Sequence, residues 1–538
     1  MDNKIKNFNT FGVMLDFSRN AVMNVENLKK FISTIASMGY NMVMLYTEDT
    51  YEVEGHPLFG HRRGRMTVDE IKELDAYCKD LNIELVPCIQ TLAHLYCLLK
   101  WMDYRDTIRD CDDILLAEEP KTYELVEDMF RTISKCFTSK RIHIGMDEAD
   151  KVGLGKYLEK HGYQNRFEII NKHLFKVCDL AKKYDLEPMV WSDMFCRLGF
   201  NTENQYDIPS EIKKPDISMP DNVSLVYWDY YNTEYDHYSK MIDLNKVFEK
   251  NTLFAGGIWT WKGFAPDNGF SFKCGEPAIR ACIEKGIKDV FFTMWGDDGA
   301  ECSRYSVLPA LMYNAEIARG NYDIESIKEK FKKLVGCDFD SFMKLDKLDL
   351  PGDQHEGNPS KYLLYSDPFL GLADNLCNGS EDKYYEKLGE EIKNAKPSGE
   401  YGYVFDTLID LCNVLAVKSD LGLRTRELYT KGDKQGLKKL AENEYMQAAE
   451  RLSVLHESFE KQWLIENKPY GFEIQDLRIG GLIQRLKSCS KRLVQYADGI
   501  TDSIPELEEI PVYGKIEFLQ PGIWWSKIVT PGVITHML

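Results

Sequence analysis

Hydrophobic and polar positions along the first 300 residues repeat one pattern. A short apolar, β-rich run is followed by polar or aromatic residues, then by a longer stretch with helical spacing. The runs are Gly12–Asp16, Asn41–Tyr46, Glu84–Gln90, Arg141–Gly145, Glu187–Trp191, Val223–Trp228, Thr252–Gly256 and Asp289–Trp295. Runs this apolar are buried on both faces, as in a parallel sheet. Between them, the segment from Asn24 opens with a capping residue, and Asp69–Tyr77 is amphipathic. About eight such units predict a (β/α)8 barrel over residues 1–320. Beyond about residue 320 the strands stop. Phe405, Leu408, Ile409, Cys412, Leu415 and Ala416 fall on one helix face, and helical spacing continues through Gly436–Gln462 and Asp476–Tyr496. Residues 321–538 therefore read as a mainly α-helical C-terminal domain. Its tail, Pro511–Leu538, has β-like runs, and Trp524 and Trp525 within it are expected to pack on a domain surface.

Composition narrows the function. The chain has 538 residues, long enough for two or three domains. Its net charge of −19 repels phosphate backbones and anionic surfaces, so neither nucleic acid nor a membrane is an expected partner. No run of 18 apolar residues occurs and the N-terminus lacks an apolar leader segment. The 14 cysteines show no Cys-x-x-Cys, and many sit in apolar runs, as reduced thiols do; the expected location is cytoplasmic. No Cys/His cluster has zinc spacing and the first strand carries no His-x-His, so no metal or other cofactor is expected.

In such a barrel the chemistry sits where the strands end. Those ends read Asp16-Phe-Ser-Arg19, Thr47-Glu-Asp49, Gln90 to His94, Met146-Asp-Glu148, Trp191-Ser-Asp193, Trp228-Asp-Tyr-Tyr231, Trp259-Thr-Trp261 and Trp295-Gly-Asp-Asp298. Five of the nine tryptophans thus fall on one rim among converging acids. That combination suits a sugar, whose C–H face stacks on rings while carboxylates take its hydroxyls. Asp147 and Glu148 are the sharpest feature. Glycosidic hydrolysis needs a proton donor at the leaving oxygen and a second group to stabilise positive charge at the anomeric carbon. A Glu among tryptophans and beside an Asp should have a raised pKa, as an acid needs. Two acids capping the next helix would have the same spacing.

The run His143-Ile-Gly-Met-Asp-Glu148 resembles the His-x-Gly-x-Asp-Glu signature of glycoside hydrolase family 20, the β-N-acetylhexosaminidases, and Met14-Leu-Asp-x-Ser-Arg19 resembles that family's first strand. The Gln90–His94 loop and the Trp191 and Trp295 strand ends follow in matching order, and Cys88–His94, Val226–Tyr231 and the helical tail resemble a bacterial branch acting on both GlcNAc and GalNAc ends. The resemblance implies removal of a terminal β-linked N-acetylhexosamine from an oligosaccharide or glycoconjugate. The substrate's own 2-acetamido oxygen would attack C1 to give an oxazolinium ion, Asp147 would orient the acetamide, and Glu148 would be acid, then base. Trp191, Trp228 and Trp295 would wall the sugar and Asp297 would take its hydroxyls. His94, Asp49, Tyr230, Tyr231, Trp259, Trp261 and Arg19 complete the expected substrate contacts. Two departures stand out. Phe11 occupies the position read as the family's hydroxyl-gripping Arg, leaving Arg19, Arg63 or Arg65 as substitutes; Trp259-Thr-Trp261 stands where an acetamido-binding Tyr is expected, leaving Tyr230 or Tyr231. The readings that compete are a non-catalytic carbohydrate-binding barrel and a retaining glycosidase with a protein carboxylate nucleophile. Broad helix faces in the second domain also allow a homodimer.

Overall fold

A computed structural model describes residues 5–210, 212–215, 218–350, 358–371 and 374–512. The expected packing of Trp524 and Trp525, and the rest of the β-like tail beyond residue 512, lie outside the described residues. Eight parallel strands close a barrel in chain order: β1 (Thr10–Asp16), β2 (Met42–Tyr46), β3 (Glu84–Cys88), β4 (Arg141–His143), β5 (Glu187–Trp191), β6 (Ser224–Trp228), β7 (Thr252–Gly257) and β8 (Asp289–Met294), with β8 pairing back onto β1. All eight predicted runs are strands, although β4 stops two residues short of Gly145.

Alternation along each strand divides two cores. Met14, Met44, Val86, Met189, Val226 and Phe291 fill the barrel interior, while Val13, Leu15, Val43 and Leu85 face the helical layer outside. Gly12 is required where β1 meets β2: a Cβ there would lie 2.7 Å from the Met42 methyl. Helices start where capping chemistry places them. Asn24 caps Val25–Met38 through the Asn27 N–H, and Thr67 and Glu70 form a reciprocal capping box on Val68–Asp80.

From Ile324 to Glu508 the described chain is helical. The predicted stripe on Phe405–Ala416 falls within Gly402–Lys418, and the long stretches resolve into Met446–Glu466 and Phe472–Ala497. Their apolar faces join the outer barrel core in one continuous cluster. All 14 cysteines are free, and most are buried. Among the described residues no helix is long and apolar enough to cross a membrane.

Candidate active site

A pocket of about 130 Å³ opens at the C-terminal ends of the strands. It is lined by Arg19, His94, Asp147, Glu148, Trp191, Trp228, Tyr230, Tyr231, Trp261, Trp295 and Asp297. The backbone after β4 explains how two consecutive acids face one space. Gly145, Met146 and Glu148 all have positive φ, at 72°, 73° and 51°. These left-handed turns break the alternation that would send neighbouring side chains to opposite sides. His94 and Glu48, on neighbouring loops, are also left-handed. At Gly145 the approach is tight as well, since a Cβ would fall 2.0 Å from Gln90 Oε1.

Asp147 is buried and held from two sides. Gln90 Nε2 donates to Asp147 Oδ1 at 2.6 Å, and Gln90 Oε1 accepts the Met146 N–H at 3.1 Å. His94 Nε2 stands 3.1 Å from Asp147 Oδ2 and 3.6 Å from Glu148 Oε2, an ion-pair contact to both acids. Burial works to raise the Asp147 pKa, but His94 and the Gln90 hydrogen bond outweigh it and lower the value to about 2. Burial likewise works against an imidazolium at His94, and Asp147 overrides it, carrying the pKa up to about 10. Asp147 is therefore ionised and His94 cationic across the neutral range. The Glu148 side chain is 57% exposed. It sits at the open edge of the pocket, while its backbone N–H donates to Asp193 Oδ2 at 3.1 Å. Asp193 lies beneath; burial, then repulsion from Asp147, raises its pKa to about 7.

The aromatic wall is braced from behind. His143 is buried, with its ring centroid 4.2 Å from that of Trp191. Burial holds its pKa down at about 3, so the neutral ring accepts the Gly145 N–H at Nδ1, 3.1 Å away. Trp228 stacks on Tyr230, and Tyr230 meets Trp261 edge to face. Asp229, between the two pocket residues, is turned inward. It accepts from the Tyr227 hydroxyl and from the Tyr231 and Asn232 N–H groups, which fixes this loop.

At the other end, the Arg19 guanidinium lies over Trp295 and Tyr46, 4.8 and 5.1 Å from the ring centroids, and pairs with Asp16 at 3.4 Å and Glu48 at 3.8 Å. Asp297 faces the pocket beside this group; burial, opposed by Arg19, raises its pKa to about 7.

The structure corrects two sequence expectations here, Asp49 and Trp259. Phe11 points away from the pocket into the outer core, against Phe8, Tyr40 and Phe292. Of the three arginines considered, Arg19 lines the pocket. Arg63 is tied to Asp49 and the Ser18 carbonyl, and Arg65 to the Phe59 carbonyl. Asp49 is thereby committed to Arg63 and does not line the pocket. Trp259 also stands outside the lining. It is buried behind Trp261, with ring centroids 4.3 Å apart, and its indole N–H donates to the Tyr230 carbonyl. The sequence does not mark Gln90 as a partner of the acids. Its position at the end of β3 is the available signal, but a glutamine there has many structural uses.

Two family models match this chain. "Glycosyl hydrolase family 20, catalytic domain" matches residues 8–235, and "Glycoside Hydrolase 20C C-terminal domain" matches residues 340–518. The chain belongs to glycoside hydrolase family 20. The family 20 match covers the first six strands, with Asp147, Glu148 and the Trp191 and Trp228 strand ends. Among curated relatives, a β-hexosaminidase of Akkermansia muciniphila is 26% identical over 167 residues, which is 26% of this chain and 34% of that protein. Hexosaminidase D of Bos taurus is 22% identical over 246 residues, 44% of this chain and 66% of that protein. The chain thus aligns with about a third of the Akkermansia protein's length and about two thirds of the bovine one. A solved β-N-acetylhexosaminidase from Bacteroides fragilis superposes with a TM-score of 0.47 and 19% identity over 61% of this chain and 70% of that one.

Proposed function

We propose that this family 20 chain is a retaining exo-β-N-acetylhexosaminidase that removes terminal β-linked GlcNAc, GalNAc or both, by substrate-assisted catalysis. The observation that carries the reading is the division of labour between two consecutive carboxyls. Asp147 is buried, ionised and locked by Gln90 and His94; Glu148 stands at the pocket's open edge. A fixed anion is what an acetamide needs when its oxygen attacks the anomeric carbon: Asp147 accepts the amide N–H, orients the group and offsets the positive charge that develops on the ring. An acid at the pocket's mouth is placed where the leaving group departs. Glu148 gives its proton to the glycosidic oxygen, the oxazolinium ion forms, and Glu148 then takes a proton from the water that opens it at C1. Displacement twice at one carbon retains the configuration.

The pocket supports the rest. Trp191, Trp228, Tyr230 and Trp295 supply apolar faces for the ring and the acetamido methyl. Arg19 and Asp297 offer a donor and an acceptor side by side to the sugar hydroxyls, and Tyr230 or Tyr231, both lining the pocket, supplies the hydroxyl donor to the acetamido oxygen.

The test is release of nitrophenol from the β-GlcNAc, β-GalNAc and β-glucose glycosides by wild type and Glu148→Gln. The proposal expects turnover of one or both N-acetylhexosaminides, none of the glucoside, and collapse in the variant. Efficient glucoside turnover would refute substrate assistance, and wild type inert on all three would refute the hydrolase reading.

A further inference from the structure

The loop after β8 carries Trp295 and Asp297 into the pocket, yet its stem is gripped by the helical C-terminal region. Arg478, on helix Phe472–Ala497, donates from Nη1 to Glu301 Oε1 at 2.7 Å and from Nη2 to the Asp298 carbonyl at 2.9 Å. Lys361, on helix Pro359–Tyr365, brings its ammonium to 2.8 Å from the same Glu301 oxygen and 4.0 Å from Asp298. Lys361 is wholly buried, and the Arg478 and Glu301 side chains are 2% and 3% exposed. Three charges are thus shut away from water at this junction, which is expensive unless their geometry is good. A third helix, Met446–Glu466, adds further contacts. Gln462 donates to the Glu301 carbonyl at 3.1 Å, and Glu466 accepts from Ser303 and from the Arg304 N–H.

From there the network returns to the pocket. Arg304 donates to the Asp16 carbonyl, Asp16 Oδ2 accepts the Gly296 N–H at 2.9 Å, and Asp16 pairs with Arg19. Asp297 is therefore suspended between two fixed neighbours: Gly296, held by the barrel, and Asp298, held by Arg478. Gly299 has a φ of 139°, and a Cβ there would come within 3.0 Å of Arg478 Nη1, so the loop passes close against the guanidinium.

We infer that Arg478 and Lys361 are positioning residues through which the helical C-terminal region sets the pose of Asp297 and Arg19, and hence the grip on the sugar hydroxyls. This rests on the N-acetylhexosaminidase reading above. It assigns part of hydroxyl selection, including that between C4 epimers, to side chains outside the barrel. The effect belongs to binding held equally in ground and transition state, so it moves KM rather than kcat.

The experiment uses the full chain with Arg478→Met, Lys361→Met and Arg478→Lys. Each leaves Glu301 at least one buried cation, so none strands a lone charge. Arg485→Met, on the same long helix as Arg478, breaks a pair with Asp367 outside that helix and is the control for general loosening. Kinetics on the β-GlcNAc and β-GalNAc nitrophenyl glycosides are paired with calorimetric binding of free GlcNAc. Arg478→Met is expected to raise KM and the GlcNAc Kd roughly tenfold, about the value of one charge-assisted hydrogen bond. kcat should stay within about threefold, the ratio between the two epimers should shift, and Arg478→Lys should recover part of the loss. If Arg478→Met does not fold, Lys361→Met and Arg478→Lys carry the same expectation in smaller degree. The inference is overturned if these variants keep KM and Kd while wild type binds GlcNAc, or if Arg485→Met moves them equally. Wild type that neither binds nor hydrolyses removes this inference together with the reading beneath it.

Discussion

Replacing His94 with Gln removes the cation that faces Asp147 and Glu148 and leaves a neutral donor of similar reach. The magnitude follows from the two displaced titrations. His94 rises from an unfolded value of about 6.5 to about 10, and Asp147 falls from 3.8 to about 2. Each tenfold change in proton affinity is worth about 1.4 kcal/mol, so the histidine gives about 5 kcal/mol and the aspartate about 2. The aspartate figure is smaller because burial opposes its charge, so the pair is worth about 2 to 5 kcal/mol, less about 1 kcal/mol if the Gln amide hydrogen-bonds to Asp147 in its place. The sign is fixed by linkage. Between pH 6.5 and 10 the folded state holds a proton on His94 that the unfolded state has lost, so stability from this group is full below about 6.5 and drains away as pH rises toward 10. The Asp147 share is present above about pH 4 and lost as pH falls through about 2. Urea unfolding of wild type and His94→Gln at about pH 5.5, 7, 8.5 and 9.5 should show a full stability gap at about pH 5.5 that narrows above about pH 6.5, by at most about 1.4 kcal/mol per pH unit. Nitrogen-15 NMR of the ten histidines gives the direct check. A gap that is constant or widens with pH, or a spectrum in which every histidine is neutral at about pH 8, would show that His94 is not the charged partner of Asp147.

Glu148→Gln should cut kcat on N-acetylhexosaminides by about 10²- to 10⁴-fold, the range for a general acid, while calorimetry shows GlcNAc still bound. Gly145→Ala forces a Cβ to 2.0 Å from Gln90 Oε1 at a φ of 72°; melting and kinetics should show a lower Tm and a kcat/KM reduced by at least about tenfold as Gln90 leaves Asp147. Asp193→Asn should reverse a pH trend. With its folded pKa raised to about 7, Asp193 binds a proton in the folded state that the unfolded state lacks between about pH 4 and 7, so wild type loses stability across that window. The variant, which keeps an acceptor for the Glu148 N–H, should close or invert the gap by about pH 8 in thermal melts. A difference independent of pH would contradict the buried-acid assignment.

The eight strands are legible in the sequence because a strand buried on both faces must be apolar and short, and the helix between two parallel strands must be amphipathic and capped. Both constraints are local, so the barrel and the Phe405–Ala416 stripe can be read residue by residue. The pocket's composition is legible for a related reason: in a barrel the strand ends meet on one rim, and naming them in turn gathers the Asp147–Glu148 pair, His94, Arg19, Asp297 and the tryptophans. Which of those side chains enter the pocket is not. Phe11 and Arg19 sit at opposite ends of the first strand's segment, and only the strand's register and alternation put Phe11 outside and Arg19 over Trp295. Asp49 carries the right charge in the right loop, but Arg63 reaches it first from 14 residues away. Glu148 and Asp147 are neighbours in sequence with unequal burial, because left-handed turns at 145, 146 and 148 aim them separately. The grip of Arg478 and Lys361 on the β8 loop joins residues up to 180 positions apart, and no local pattern records it. Periodicity reports what a residue needs from solvent, and the sequence alone determines that. Which partner satisfies a buried charge depends on chain closure over long separations, and only the tertiary structure decides it.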